Sequence, residues 1–278
     1  MNRSINVNFL NREEDYRYLT YAKEAGFSTV GITLFNSLFE SNAWRDTICA
    51  LREFLDKQGL RCMQTHLPWY DILQSSAVTD AETDEQIARG VEATAILGAG
   101  YGVYHPRTAI TESGYDWKLS FLHNKEALAP LLEVAEKHDV GVAVENIPVF
   151  PGFLRRMFYT SDPDDLCELV DSYETPRLAA CWDTSHGHLM PFDHAKMIRK
   201  VGKRIKATHL AANHGDEDWH LLPLFGTANW PSIMQAFRDI GYDRDLNLEV
   251  NGVHPDAMAN FYRLAFDSVT ILQKMMQG

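Results

Sequence analysis

The chain has 278 residues, 45% of them hydrophobic and 23% charged, with a formal net charge of −12. This is the profile of a soluble globular protein long enough to bury a large core, and no apolar run nears the roughly 18 to 20 residues of a membrane span. The acidic balance disfavours a nucleic-acid partner, because phosphate neutralisation needs clustered Lys and Arg, and the densest basic stretch (residues 198–206) ends a helical pattern where cations are favoured anyway.

Strand-like and helix-like patterns alternate from end to end. INVNFL, at about 5–10, precedes EEDYRYLTYAKEAG, and STVGITL, at about 28–34, precedes NAWRDTICALREFLDKQG. RCMQTHLP leads through a loop at about 69–78 into DAETDEQIARGVEATAILGAG. YGVYHPR is followed by a short insertion and LHNKEALAPLLEVAEKHD, and GVAVENIP by a Pro/Gly/aromatic loop and PDDLCELVDSYE. RLAACWDTSH precedes HAKMIRKVGK, IKATHLAA precedes a long loop and WPSIMQAFRDIG, and DLNLEV precedes the closing helix AMANFYRLAFDSVTILQKMMQ. Glycines 26, 59, 141 and 241 stand where helices are expected to end.

Eight strand–helix pairs in a chain of this length predict a single α/β domain over residues 1–278, a (β/α)8 TIM barrel. A doubly wound dinucleotide fold has no support, since the first βα turn reads Asn11-Arg12-Glu13 without a glycine fingerprint. The N-terminal MNRSINVNFL lacks the apolar stretch of a secretory leader, so a cytoplasmic protein is expected. The four cysteines, Cys49, Cys62, Cys167 and Cys181, show no CxxC spacing and read as reduced thiols.

Potential metal ligands recur at the ends of the apolar runs. They are His66, His105, Glu145, Asp183 with His186, His209, Asp218 with His220, and Glu249. In a (β/α)8 barrel the strand ends converge on one active face. A lone His after a strand is ordinarily a hydrogen-bonded loop residue, but six successive strand ends carrying such residues call for a common cause. Glu145, Asp183, His209 and Glu249, from strands five to eight, form the expected inner set. Three carboxylates and one imidazole suit one divalent metal, Mn²⁺, Mg²⁺ or Co²⁺, with Zn²⁺ also compatible. Two vicinal substrate oxygens would chelate it, and Glu145 and Glu249 are the natural acid/base pair for proton transfer through a cis-enediolate.

The runs VENIP, CWDTSH, KATHLA and LNLEVN, in this order and spacing, resemble the xylose-isomerase-like barrel superfamily over essentially the whole chain. The superfamily includes sugar-phosphate isomerases and epimerases, hydroxypyruvate isomerase, inosose dehydratase and the endonuclease IV type of apurinic endonuclease. The resemblance implies a metal-dependent isomerase or epimerase of a small carbohydrate, with one metal on Glu145, Asp183, His209 and Glu249 and with His186 on substrate. An inosose dehydratase-like lyase would use the same enolate chemistry. Such barrels often associate, so a homo-oligomer fits the resemblance.

Endonuclease IV resembles the chain at further positions, His66, His105, His186, Asp218 and His220, which there complete a three-zinc hydrolase site. Against that reading, the family's Gly-Glu-Gly is replaced by Leu224-Phe225-Gly226, the loop after His66 is aromatic and acidic (Leu67-Pro68-Trp69-Tyr70-Asp71), and no basic stripe is present. Ketose 3-epimerases of the superfamily carry an Asn-Arg pair and another Glu soon after the strand-five Glu, and an Arg after the strand-seven His. Here Glu145 is followed by Asn146-Ile147-Pro148-Val149-Phe150-Pro151-Gly152, and position 215 is Gly.

Arg107 stands at the mouth of strand four, where its planar fork would hold a phosphate or carboxylate of the substrate; a salt bridge to a loop acid is the alternative. Arg155 and Arg156 carry the same two readings. Trp69, Tyr70, Phe150 and Phe153 would make an apolar wall that excludes water or stacks on a sugar face; ordinary loop packing is the alternative. The expected substrate-binding set is thus His66, Trp69, His105, Arg107, His186, Asp218 and His220. His188 and His214 are expected to stand behind the site or in solvent, and Asn251 and His254, beside the last strand, are positioned to touch substrate.

Overall fold

Eight parallel strands form the barrel in the computed structural model, which describes residues 1–70, 81–149 and 158–278. They are β1 (Arg3–Phe9), β2 (Thr29–Leu34), β3 (Arg61–His66), β4 (Tyr101–Tyr104), β5 (Gly141–Glu145), β6 (Leu178–Asp183), β7 (Ile205–His209) and β8 (Leu246–Leu248). They pair in sequence order from β1 to β7, and β8 pairs with β1. The ring closes where Leu210 bridges to Leu248, with the Leu210 N–H donating to the Asn247 carbonyl at 2.8 Å and the Glu249 N–H to the Leu210 carbonyl at 3.2 Å. The apolar runs of β2, β5 and β6 are buried throughout, as expected of strands covered on both faces.

Helices α1 (Glu13–Ala25), α2 (Trp44–Gln58), α3 (Ala81–Ile96), α4 (Trp117–His138), α5 (Pro163–Asp171), α6 (Thr184–Leu189), α7 (His194–Val201) and α8 (Trp230–Asp239) lie between the strands, and α9 (Met258–Gln277) follows the last of them. Gly26 (φ 112°) and Gly59 (φ 64°) take the left-handed cap expected of them. Gly141 does not: α4 ends on Asp139 (φ 58°), and Gly141 opens β5, where a Cβ would lie 2.3 Å from the Tyr101 ring. α4 also begins earlier than its sequence pattern predicts, because the Asp116 carboxylate caps it by accepting the Leu119 N–H at 3.0 Å. The insertion before it forms a small hairpin, Ile110–Thr111 against Gly114–Tyr115.

The short helix α6 departs from the predicted elements too, since DTSH reads as the end of a strand. All four cysteines are free. Among the described residues, no helix is long and apolar enough to cross a membrane. The expectations placed on Asp71, Phe150, Phe153, Arg155 and Arg156 fall outside the described residues.

Candidate metal centre

Parallel strands of one barrel deliver their last residues to one rim. Glu145, Asp183 and His209 end β5, β6 and β7, and Glu249 follows β8 by one residue. One ligand atom from each of these four lies within 4.8 Å of the others. His209 Nδ1 is 2.8 Å from Glu145 Oε1 and 3.0 Å from Glu249 Oε2. Glu145, Asp183 and His209 are wholly buried, whereas the Glu249 side chain keeps 20% exposure.

The backbone around Asp183 is fixed by Asn146, whose amide donates to the Asp183 carbonyl at 3.0 Å and accepts its N–H at 2.6 Å. Asp183 Oδ1 caps α6 by accepting the His186 N–H at 2.7 Å, and Oδ2 is buried without a partner. That cap turns His186 toward the rim. Glu249 Oε1 accepts from Asn6 Nδ2 at 3.2 Å, and the same amide donates to Thr33 Oγ1 at 2.5 Å. Asn6 fits because β2 carries Gly31 there: a Cβ on Gly31 would lie 2.4 Å from Asn6 Oδ1 and 2.8 Å from Asn247 Oδ1.

Two further groups flank the four. On one side His105 Nε2 lies 3.0 Å from both His66 Nε2 and Glu145 Oε2, and the Trp69 ring meets His66 edge-on at 4.9 Å. On the other, Asp218 Oδ2 lies 3.1 Å from His186 Nε2 and 3.0 Å from His220 Nε2. Ser185 donates to Asp218 Oδ1 at 2.6 Å. His220 occupies the left-handed region (φ 48°) with Nδ1 2.9 Å from the Glu249 carbonyl, a conformation a non-glycine residue keeps only when its surroundings enforce it.

The charges show what the site demands. Burial opposes ionisation of Glu145, but His209 and His105 outweigh it and hold the carboxyl well below the usual range. Glu249 is likewise opposed by burial and brought down to about 2 by His209. Asp183 is pushed up to about 6, by burial despite His186 and His220. His209, His186 and His220 are drawn upward against burial by the acids and Cys181 around them, His220 to about 10. The buried carboxylates thus call for positive charge, which protons on imidazole supply. The unpartnered Asp183 Oδ2, the oxygen-rich donor set and this excess of negative charge fit a divalent cation.

A cavity of about 670 Å³ lies over the centre, lined here by His66, Trp69, His105, His186, His220 and Glu249. Asp218 and Asn251 also line it. Arg107 does not. Its guanidinium donates to Asp84 Oδ1 and the Tyr70 hydroxyl and lies 4.0 Å over the Tyr70 ring, the salt-bridge alternative of its sequence position. His188 Nε2 sits 2.9 Å from Thr227 Oγ1, and His254 is exposed beside Asp256. Asn6, Thr33, Asn146 and Ser185 were not marked by the sequence; of these, Asn146 directly follows Glu145 and Ser185 directly precedes His186, whereas Asn6 and Thr33 stand beside no marked residue.

Residues 19–263 match the xylose isomerase-like TIM barrel family, and the chain belongs to that family. An uncharacterized protein of Methanocaldococcus jannaschii is 26% identical over 204 residues, 72% of this chain and 67% of that protein. D-psicose 3-epimerase of Enterocloster bolteae is 29% identical over 115 residues, 41% of this chain and 35% of the epimerase. A solved D-tagatose 3-epimerase-like protein shares the fold with a TM-score of 0.75 at 21% identity, over 99% of each chain.

Proposed function

We propose that the protein is a metal-dependent isomerase or epimerase of a small carbohydrate or carbohydrate derivative. The observation that carries this reading is the convergence of Glu145, Asp183, His209 and Glu249 beneath a cavity that reaches only Glu249 among them. A divalent ion held by these four would acidify a substrate C–H beside a carbonyl and stabilise the negative oxygen that results. The names of the relatives, a D-psicose 3-epimerase and a D-tagatose 3-epimerase-like protein, point to the same chemistry. The residues after Glu145, and Gly215, keep the chain apart from the ketose 3-epimerase pattern.

Glu249 is the group that takes the proton. Its Oε1 is steadied by Asn6, and it alone of the inner carboxylates faces the cavity. Glu145 is sealed from the cavity, so any proton it exchanges passes through His105, which lines the cavity 3.0 Å from Glu145 Oε2. His66, His186 and His220 offer hydrogen bonds to substrate oxygens. Trp69, whose ring meets Phe35 at 5.4 Å, gives an apolar wall that excludes water.

One observation favours a second reading, a multi-zinc phosphodiester hydrolase. His66, His105 and Glu145, and likewise Asp183, His186 and His220, each bring ligand atoms within 4.8 Å of one another. A metal count with a solvent-deuterium exchange screen over ketoses, aldoses, inososes and their phosphates tests the two. One metal per chain with C–H exchange is expected; three zincs with phosphodiester cleavage would overturn the isomerase. In Glu249→Gln, exchange should fall by about 10² to 10⁴ and should not return when the variant is saturated with metal.

A further inference from the structure

The cavity over the centre touches both faces of β1. Asn6 and Asn8 line it from the barrel side, and Ile5 and Val7 from the helix side. Successive strand residues point to opposite faces, so a void that meets both must pass the edge of the strand. That edge is open. β1 pairs with β8 only from Arg3↔Leu246 to Ile5↔Leu248, and the chain leaves the sheet at Glu249. From Asn6 onward, β1 is paired on the β2 side alone.

Beyond the gap the lining changes character. It consists of Tyr18 from α1, Met258, Phe261 and Tyr262 from α9, and Val250. The Tyr18 and Tyr262 rings lie 6.4 Å apart and near parallel (28°), and Phe261 meets Tyr262 edge-on at 6.1 Å. The whole cavity, about 670 Å³, equals the liquid volume of on the order of twenty waters at about 30 Å³ each. A small free sugar held at the metal end would leave this chamber unfilled, and a sugar hydroxyl placed in it would meet mostly ring and aliphatic carbon, with the Tyr18 and Tyr262 side chains the polar-tipped exceptions. An apolar group would gain by leaving water there.

We propose that this side chamber binds an apolar, ring-sized substituent of the substrate, so that the natural substrate is an aryl- or alkyl-substituted hydroxy-carbonyl compound and not a free sugar. The inference rests on the reading of the four ligands as a centre for hydroxy-carbonyl chemistry. The substituent enters through the gap between β1 and the segment after β8, which places the reacting carbons over Glu249.

Dihydroxyacetone and its phenyl ether test the proposal by NMR titration of the Mg²⁺-loaded protein. The phenyl ether should bind at least about tenfold more tightly. Tyr18→Ser, on a half-buried position of α1, should erase most of that difference while leaving dihydroxyacetone affinity and metal content as they were; Tyr18→Phe should keep it. Equal affinity for the two compounds in the wild-type protein, or an equal loss of both in Tyr18→Ser, would overturn the chamber. The two readings separate cleanly. Deuterium exchange without phenyl preference removes the chamber alone. A phenyl preference that survives metal stripping, with no exchange in the loaded protein, upholds the chamber and removes the isomerase.

Discussion

The rims of β5 to β8 and of β1 and β2 share one strand geometry and carry different chemistry. The first offers three carboxylates and an imidazole, three of the four wholly buried. The second offers Asn6, Asn8 and Thr33, neutral groups that line the cavity, with Asn6 reaching across to Glu249. Strong negative charge is concentrated on one side of the barrel, and hydrogen bonding that orients one of those charges comes from the other. In the proposed function, holding a cation and aiming a carboxylate would thereby fall to different strands.

The largest expected effect lies on the charged rim. Glu145→Gln should weaken divalent metal binding by at least about 100-fold, more than the loss of an outer-shell partner usually costs, and should abolish turnover with an unchanged circular dichroism spectrum. Metal retained at wild-type affinity in that variant would erase the contrast between the rims. Proton linkage sharpens it. Against burial, Cys181, Glu249 and Glu145 draw the His209 pKa well above the ordinary range, and a ligating nitrogen must lose that proton. Calorimetry at pH 7 in buffers of different ionisation enthalpy should therefore show proton release on metal binding, with affinity rising as pH rises, by about tenfold per unit for each proton displaced.

On the neutral rim, Asn6→Ala should leave metal content intact and lower turnover by about tenfold, the scale of one hydrogen bond to a charged group. A loss of metal in that variant would merge the two rims into one unit. The smallest effect concerns the scaffold behind β6. His194 Nε2 accepts the Trp182 indole N–H at 3.0 Å, and burial lowers the ring's pKa to about 3. The unfolded chain binds a proton near pH 6.5 that the folded one refuses, so this stability is present above 6.5 and is lost toward pH 3. Wild type should lose about 1 kcal/mol relative to His194→Gln for the first pH unit below 6.5, read from urea midpoints.

The barrel and the convergence of Glu145, Asp183, His209 and Glu249 were legible because six of the eight apolar runs stop at or beside a residue able to bind metal, and parallel strands gather their ends by construction. Arg107 was not. Its position at a strand mouth is local information, but its direction depends on Asp84 in α3 and on Tyr70, which no spacing along the chain relates to it. Asn6 was hidden for a similar reason. An amide in a strand has no signature of its own, and its orientation follows from the missing Cβ of Gly31 on the neighbouring strand. Helix α6 could have been read, since Asp183 stands three residues before His186, the spacing of a side-chain cap.

Asp183 uses its two oxygens differently. Oδ1 holds the first turn of α6, and Oδ2 is buried without a hydrogen-bond partner, the oxygen our proposal gives to the cation. Asparagine at this position would keep the acceptor and replace the other oxygen with a group unable to ligate. The shape of the rim and its electrochemistry can therefore be uncoupled at a single atom, which makes position 183 the place to begin if this barrel is to be refitted as an inert receptor for its own substrate.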